Sequence, residues 1–300
     1  MSFHEPVLLK ECIEGLKIKQ DGVYVDLTYG GGGHTKVILE KIGKGRVFSF
    51  DVDADAKHNA DQLKNPSFTF IQANFRYAQK YLRFYKVQQI NGIMADLGVS
   101  SYQIDTPEKG FSSRYDAPLD MRMDPEIEIT AAQVLNQFDE KELHKIFGMY
   151  GEVRNAKTLA RDVVAYRAKG QITTTSEFIG FLNKYARKGR ESKYYAQVFQ
   201  ALRIVVNDEL GALEDMLKMS VNILRPGGRL AIISYHSLED RMVKKFMNTG
   251  KKSGLLEKDI YGNIQRPFDP VNRKPLTPSS QEVSQNKRAR SAKLRIAQRN

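Results

Sequence analysis

A short apolar run that ends in four consecutive glycines constrains the fold of this chain more than any other feature. Residues 23–27 (V-Y-V-D-L) have the composition of a buried strand, and residues 30–33 are all glycine before a helical pattern begins. Glycines at such a junction let the backbone approach a ligand closely, and the start of the following helix offers free N–H groups. The junction predicts a strand–loop–helix unit with a ligand at the carboxyl edge of an α/β sheet. A tight turn without a ligand is the alternative.

Three further apolar runs follow at the spacing of βαβ units, at residues 46–51, 68–73 and 90–97. Alternation of strands and helices at this spacing predicts a parallel sheet. The alternation stops after Ser101, and a strand pattern returns only at residues 229–234. This order of strand and helix patterns along the chain predicts an α/β fold class with a mainly helical insert between the fourth and fifth strands.

The same pattern sets the expected domain boundaries. We expect a discontinuous domain formed by residues 1–104 and 197–300, and an insert formed by residues 105–196. Amphipathic periodicity predicts one long helical stretch over residues 197–224. In the tail, apolar Ala292, Leu294 and Ile296 alternate with basic residues, which predicts an edge strand. A disordered basic arm is the alternative for the tail.

Positive charge is concentrated in two segments of the chain. The 47 Lys and Arg residues outnumber the 35 Asp and Glu residues, for a net charge of +12. Residues 153–193 carry ten basic and three acidic side chains, and residues 271–300 carry eight and one. Clustered positive charge is typical of proteins that bind a phosphate backbone, although a solvated basic surface gives the same signal.

Composition also excludes several classes of protein and site. No apolar run approaches the roughly 18 residues that cross a bilayer, so we expect no membrane association. Cys12 is the only cysteine, which excludes an internal disulfide and a thiolate metal cluster and favours the reducing cytoplasm. Histidines 4, 58 and 144 lack partners at metal-ligand spacing, so we expect no metal site.

Acidic residues follow three of the predicted strands. Asp26, Asp51 and Asp96 each lie at or near a strand end, where the carboxyl ends of parallel strands form one edge. The glycines fit neither the P-loop nor the dinucleotide fingerprint, because no Lys-Ser/Thr follows them and the sixth position is not glycine. A carboxylate at Asp51 suits a ribose diol, so these residues predict an adenosyl ligand of positive charge. Helix capping by Asp51 and turn capping by Asp96 are the alternatives.

A series of motifs runs from residue 4 to residue 295 in a fixed order. It comprises H-E-P-V-L-L (4–9), Asp26 with Gly32-Gly33-His34, D-L-G-V-S-S (96–101), Gln103, G-F-S (110–112), L-D-M-R-M-D (119–124), Y-G-E (150–152), V-F-Q-A-L-R-I (198–204), G-G-R-L (227–230), I-S-Y-H-S-L-E-D-R (233–241) and A-R-S-A-K-L-R (289–295). In this order the motifs closely resemble the bacterial S-adenosylmethionine-dependent methyltransferases that modify the N4 amine of a cytidine in small-subunit ribosomal RNA. The chain departs from that family at Tyr235, where Phe is usual, and at Val153, where Glu is usual.

The resemblance implies a fold, a cofactor and a substrate. It implies a Rossmann-like methyltransferase sheet, seven-stranded and mostly parallel, in a cytoplasmic enzyme that acts on the decoding region of 16S rRNA in the small ribosomal subunit. Carried over by motif, the residues that contact S-adenosylmethionine are Gly32, Gly33, His34, Asp51, Phe75, Asp96 and Gln103. The insert is the expected RNA-recognition domain, and its candidate phosphate contacts are Arg154, Arg161, Arg187, Lys188 and Arg190. The oligomeric state stays open, with a homodimer among the alternatives.

Asp96 is the candidate catalytic residue. The N4 amine is a poor nucleophile because its lone pair is delocalised into the ring, so the enzyme must accept a hydrogen bond from the amine and hold it in line with the methyl group. Asp96 or a nearby backbone carbonyl is the expected acceptor. The rival functions are a methyltransferase for another RNA or for DNA, a nicotinamide-dependent oxidoreductase and a non-catalytic RNA-binding protein.

Overall fold

The computed structural model describes residues 6–256, 261 and 266–300. His4 and Glu5 of the first motif lie outside the described residues. The chain divides into two compact units, one of Met1–Gly98 with Leu210–Asn300 and one of Val99–Glu209. The second unit therefore begins before the expected boundary at residue 105 and ends after the expected boundary at residue 196.

Helices and strands alternate through the first unit, and helices make up most of the second. The helices are α1 (Leu9–Leu16), α2 (Gly33–Lys41), α3 (Ala54–Asp61), α4 (Ala78–Phe84), α5 (Ser101–Asp105), α6 (Ala131–Gln137), α7 (Glu140–Lys145), α8 (Ala156–Arg167), α9 (Thr175–Leu182), α10 (Glu191–Val206), α11 (Glu209–Ile223), α12 (Ser237–Thr249) and α13 (Ser280–Gln285). The strands are β1 (Val23–Asp26), β2 (Arg46–Asp51), β3 (Phe68–Gln72), β4 (Ile90–Asp96), β5 (Leu224–Ser234), β6 (Phe268–Pro270) and β7 (Lys293–Arg299).

The strands form one mixed sheet in the order β3-β2-β1-β4-β5-β7-β6. The pairs among β1 to β5 are all parallel, and β7 runs antiparallel to both of its neighbours. Alternate residues of one strand enter different cores, as in β4, where Ile93 packs in one cluster and Met94 in another. Burial on both faces is typical of parallel sheets with helices on either side. The predicted seven-stranded, mostly parallel sheet with helices inserted between β4 and β5 is confirmed.

The tail forms a strand, as predicted, but the prediction that it lies at the edge is wrong. Strand β7 pairs with β5 on one side and with β6 on the other. Leu294 and Ala297 are fully buried. Arg295, one of the basic residues that alternate with the apolar ones, is buried too, and its Nε lies 2.7 Å from Asp240 Oδ1. The charge of this segment is thus partly neutralised inside the fold.

The predicted helical stretch over residues 197–224 is two helices. Helix α10 ends at Val206 and α11 begins at Glu209. Asp208 between them has φ of 45°, a left-handed conformation that a continuous helix does not allow. Asn207 supports the end of α10, because its Nδ2 donates to the carbonyl oxygens of Arg203 and Met121. No helix among the described residues has the length and apolar character required to cross a membrane.

We expect the substitution Leu294→Ala to lower the free energy of unfolding by about 2–5 kcal/mol, because it leaves a cavity at a fully buried position of an interior strand. Lys287→Ala, at an exposed position nearby, is the matched control and should change it by less than about 0.5 kcal/mol. Urea titration of both variants measures the difference. Equal stability of the two variants would show that the tail does not belong to the cooperative core.

Candidate functional site

Three carboxylates lie at one edge of the sheet because their strands are parallel and adjacent. Asp26, Asp51 and Asp96 are the last residues of β1, β2 and β4. Strand β1 lies between the other two, and Asp26 pairs in register with Ser49 on one side and Met94 on the other. The strand order reverses between β1 and β4, because the chain builds the sheet outward first on one side of β1 and then on the other. Open α/β sheets bind ligands at such a point, outside the carboxyl ends of the strands.

The four glycines at residues 30–33, which we call the glycine junction, connect β1 to α2 at this edge of the sheet. Gly30 and Gly32 have φ of 50° and 76°, a left-handed conformation that favours glycine. A Cβ atom added at Gly30 or Gly31 would meet no atom within 4 Å, so both positions face open space. A Cβ atom at Gly32 would lie 2.5 Å from the Tyr29 ring, and one at Gly33 would lie 2.1 Å from Pro6. Gly32 and Gly33 are therefore needed for packing, whereas Gly30 and Gly31 leave room for a ligand.

Asp51 holds the glycine junction in place. Its Oδ2 accepts a hydrogen bond from Gly30 N at 2.8 Å, and its Oδ1 accepts one from Asp53 N at 3.0 Å. Asp53, not Asp51, is the N-cap of α3 and accepts from Asp55 N. Burial raises the pKa of the Asp51 carboxyl. Each carboxylate oxygen has a second lone pair, so Asp51 can still accept hydrogen bonds from a diol.

Asp26 is buried and ties β1 to α2. Its Oδ2 accepts from Thr35 Oγ1 at 2.7 Å, and its Oδ1 accepts from Thr28 N at 3.2 Å. Burial raises the pKa of Asp26 to about 7, and repulsion from Asp51 adds to the shift. In the sequence, Asp26 is part of a motif and has no assigned role of its own. In the structure, its two hydrogen bonds hold the residues on either side of the glycine junction.

Asp96 forms a partly buried pair with Tyr235. The Tyr235 hydroxyl donates to Asp96 Oδ1 at 2.8 Å, and the Asp96 backbone N–H donates to Thr28 Oγ1 at 2.6 Å. Burial raises the pKa of Asp96 to about 7, with repulsion from Asp26 as a further cause, while the hydrogen bond from Tyr235 acts in the opposite direction. Sequence reasoning noticed Tyr235 only as a departure from the family pattern. Its hydroxyl is in fact the partner of the candidate catalytic residue.

His34 and Phe75, two other predicted cofactor contacts, lie in the same unit. His34 is buried, with Nε2 3.2 Å from the carbonyl oxygen of Val7, and burial lowers the pKa of His34 to about 4. His34 is therefore neutral at pH 7, and it joins the glycine junction to the segment before α1. Phe75 begins a 3₁₀ turn directly after β3 and is partly buried against the sheet core.

Gln103 and the five candidate RNA contacts belong to the second unit. Gln103 is buried and forms a reciprocal capping box with Ser100 at the start of α5. The five cations, Arg154, Arg161, Arg187, Lys188 and Arg190, are all exposed. Three of them share the turn before α10. Arg161 pairs with Asp162 at 3.0 Å.

The family model of the MraW methylases matches residues 1–300. The chain belongs to the MraW methylase family. "Ribosomal RNA small subunit methyltransferase H" of Cytophaga hutchinsonii is 58% identical over 99% of both chains. The protein of the same name from Bacteroides thetaiotaomicron is 48% identical over 100% of this chain and 98% of its own. A solved rRNA methylase from Streptococcus thermophilus is 15% identical, with a TM-score of 0.42 over 99% of both chains.

The first unit of this MraW-family methylase fits the S-adenosylmethionine that such methylases use. Open space above Gly30 and Gly31 lets an adenosyl group approach the backbone. The Tyr29 hydroxyl is buried without a hydrogen-bond partner in the described part of the chain. Neighbouring carboxylates at Asp26, Asp51 and Asp96 favour a cation such as a sulfonium and disfavour a polyphosphate. Asp51 is the residue of this set that would hold the ribose hydroxyls.

We expect Asp96→Asn to gain stability relative to the wild type as the pH rises from about 4 to about 7. A carboxyl whose pKa is raised on folding stabilises the fold below its unfolded pKa and loses that contribution as the pH rises through its folded pKa of about 7. The Asn amide oxygen can still accept from Tyr235 and carries no titratable proton. Asp21→Asn, at an exposed position, should follow the wild-type curve.

Urea titrations of the cofactor-free protein at several pH values measure both differences. A constant offset between Asp96→Asn and the wild type across this range would contradict the assignment of a raised pKa to Asp96.

Proposed function

We propose that the chain transfers a methyl group from S-adenosylmethionine to the N4 amine of a cytidine in the decoding region of 16S rRNA. The observation that carries the proposal is the match along the whole chain to relatives named small-subunit ribosomal RNA methyltransferases, at 47–58% identity. The carboxylate edge with the open glycine junction supports the cofactor half of the proposal. The proposal includes a location in the bacterial cytoplasm. The molecular mass of the protein in solution would distinguish a monomer from a homodimer.

Asp96 is the residue that we place at the reacting amine. When bound, S-adenosylmethionine supplies an electrophilic methyl group. An Asp96 oxygen that accepts a hydrogen bond from the amine turns the nitrogen lone pair away from the ring. Tyr235 occupies Oδ1, and Asp96 makes no other side-chain hydrogen bond among the described residues, so Oδ2 is available. A bound cation lowers the pKa of Asp96 from its raised value and keeps it ionised as an acceptor.

The thiol of Cys12 has no part in the proposed reaction. Cys12 is fully buried, and burial raises its pKa well above the usual value. A buried thiol of raised pKa is a poor nucleophile. Transfer to an exocyclic amine needs no covalent adduct with the base, so the chain has the groups that direct transfer requires.

The second unit is the part that we propose for RNA recognition. Its segment 153–193 carries ten basic side chains against three acidic ones, and the five candidate contacts are exposed. A phosphate backbone attracts such a surface regardless of sequence. The target base must also leave its stack to reach Asp96, as in other enzymes that modify bases.

A methylation assay tests the proposed function directly. Purified protein with labelled S-adenosylmethionine should modify small ribosomal subunits from cells that lack it, and should leave naked DNA unmodified. Mass mapping of the 16S rRNA should place the methyl group on one cytidine N4. S-adenosylhomocysteine should raise the melting temperature, whereas NAD should not. Methylation of DNA, or stabilisation by NAD alone, would favour one of the rival functions.

We expect Asp96→Ala to reduce the turnover number about 10²-fold or more, because it removes the oxygen that accepts the hydrogen bond from the amine. Calorimetry with S-adenosylhomocysteine separates the two possible roles of Asp96. Retained affinity with reduced turnover identifies the acceptor, and reduced affinity with normal turnover at saturation identifies a cofactor contact only. Asp21→Ala is the control, and unchanged turnover of Asp96→Ala would exclude a catalytic role.

We expect the triple substitution of Arg187, Lys188 and Arg190 by Gln to weaken RNA binding and to flatten its dependence on salt. Each lost phosphate contact should reduce the slope of log affinity against log salt by about 0.7–0.9. The control replaces three exposed lysines of the first unit, Lys10, Lys41 and Lys44. Filter binding at several salt concentrations gives both slopes. Identical slopes for the wild type and the triple variant would rule out phosphate contacts at this turn.

A further inference from the structure

Helix α4 and the 3₁₀ turn before it expose a row of aromatic rings on the first unit. Tyr77, Tyr81 and Phe84 are 55%, 36% and 78% exposed. With Lys80 they occupy positions i, i+3, i+4 and i+7, which share one side of a helix. We call these residues, together with Arg83 and Lys86, the aromatic–basic face. Large rings exposed together in this way are unusual on a monomeric surface and mark an interaction site.

The opposite side of α4 anchors the face to the core. Ala78 and Leu82 are buried in the sheet core. Gln79 N–H donates to the sulfur of Met219 on α11, and Arg76 donates twice to Asp215 Oδ2, at 2.7 and 3.0 Å. The exposed rings are therefore carried by a backbone anchored to the core, and an aromatic side chain has only two torsion angles to fix when it binds.

Two of the rings on this side of the fold rest on the sheet, and two project from it. Tyr81 meets Phe50 edge-on at 6.1 Å, and Tyr85 lies 5.4 Å from Phe48. Within the described residues, Tyr77 forms no ring pair, and Phe84 forms a ring pair only with its neighbour Tyr85, at an interplanar angle of 90°. The faces of Tyr77 and Phe84 are thus available to a planar partner.

The charged residues of the aromatic–basic face are all cations. No acidic residue occurs between Asp61 and Asp96 in the sequence. Lys80, Arg83 and Lys86 are exposed, and none of them forms an ion pair in the part of the chain that the structure describes. Arg76, the cation next to the face, is the one that Asp215 neutralises. The cations on the face itself remain free to meet an anion.

We propose that the aromatic–basic face binds single-stranded RNA, with bases stacked on Tyr77 and Phe84 and phosphates near Lys80, Arg83 and Lys86. Rings between cations are the surface that single strands prefer, because every base has a π face and every linkage is anionic. The inference rests on the proposed function, which supplies RNA as substrate. It adds a contact outside the insert, on the first unit.

Two other occupants fit the face less well. A symmetric dimer formed through this face would bring Lys80, Arg83 and Lys86 close to the same three cations of a second copy. Insertion into a membrane favours a wide apolar surface, whereas this one has tyrosine hydroxyls and cations within a helix of seven residues. Charge complementarity therefore selects RNA.

The first experiment compares ring with non-ring substitutions in the full-length protein. The probes are a single-stranded oligouridylate and small ribosomal subunits from cells lacking the protein. We expect the double variant Tyr77→Leu/Phe84→Leu to bind both probes about tenfold more weakly or worse, because it loses base stacking. The matched variant Tyr77→Phe/Phe84→Tyr keeps both rings and should bind like the wild type. Leu255→Ala, at another exposed apolar position, is the surface control.

The second experiment measures the charges. We expect Lys80→Gln/Arg83→Gln/Lys86→Gln to reduce the slope of log affinity against log salt for the oligouridylate by about 2, at about 0.7 per contact on a single strand. Affinity for S-adenosylhomocysteine should stay unchanged in all these variants, which shows that the fold and the cofactor site are intact.

The outcomes separate this inference from the proposed function. If the wild type methylates small subunits and both sets of variants bind RNA normally, the face does not bind RNA and the proposed function stands. If the leucine variant binds RNA normally but changes the molecular mass in solution, the face is a contact between copies and the inference is wrong. If the wild type neither binds RNA nor methylates it, both proposals fail.

Discussion

The hydrogen bond from Gly30 N–H to the Asp51 carboxylate joins the two features on which the candidate site depends. One is the loop after β1, whose left-handed glycines leave open space, and the other is the acidic end of β2. The bond forms because β1 and β2 are parallel neighbours, so the end of one lies beside the end of the other. The shape of the site is therefore a consequence of strand order, and residues far apart in the sequence meet at one edge.

Burial of several acids at this edge has an electrostatic cost that a cation can offset. The pKa values of Asp26 and Asp96 are both raised to about 7, chiefly by burial. Repulsion from Asp51 adds to the shift of Asp26, and repulsion from Asp26 adds to that of Asp96. Asp26 is held by two internal hydrogen bonds and is part of the scaffold. Asp51 and Asp96 keep acceptor capacity toward the open side. A sulfonium nucleoside has both the diol and the positive charge that this arrangement favours.

Patterns in the sequence predict those parts of the fold that are determined by interactions between residues close together in the chain. The sequence predicts the glycine junction, the first four strands and the acids at strand ends, because a few neighbouring residues specify each of them. The interior position of β7 was not found, because its outer neighbour β6 has only three residues and ends in Pro270. The break at Asp208 was missed because its apolar pattern continues through a left-handed residue. The packing roles of Gly32 and Gly33 depend on Tyr29 and Pro6, and such tertiary contacts leave no periodic signal.

Tyr235 shows how one hydroxyl can alter a site without changing its fold. A phenylalanine at this position would leave both oxygens of Asp96 without a side-chain donor from that position. In this chain the Tyr235 hydroxyl fixes Oδ1, and burial beside Asp96 raises the pKa of the tyrosine, so it remains a donor. The other oxygen of Asp96, Oδ2, has no side-chain partner among the described residues. For the role that we propose for Asp96, a carboxylate held in one orientation is an advantage, because the lone pair of the amine must point along the line of methyl transfer.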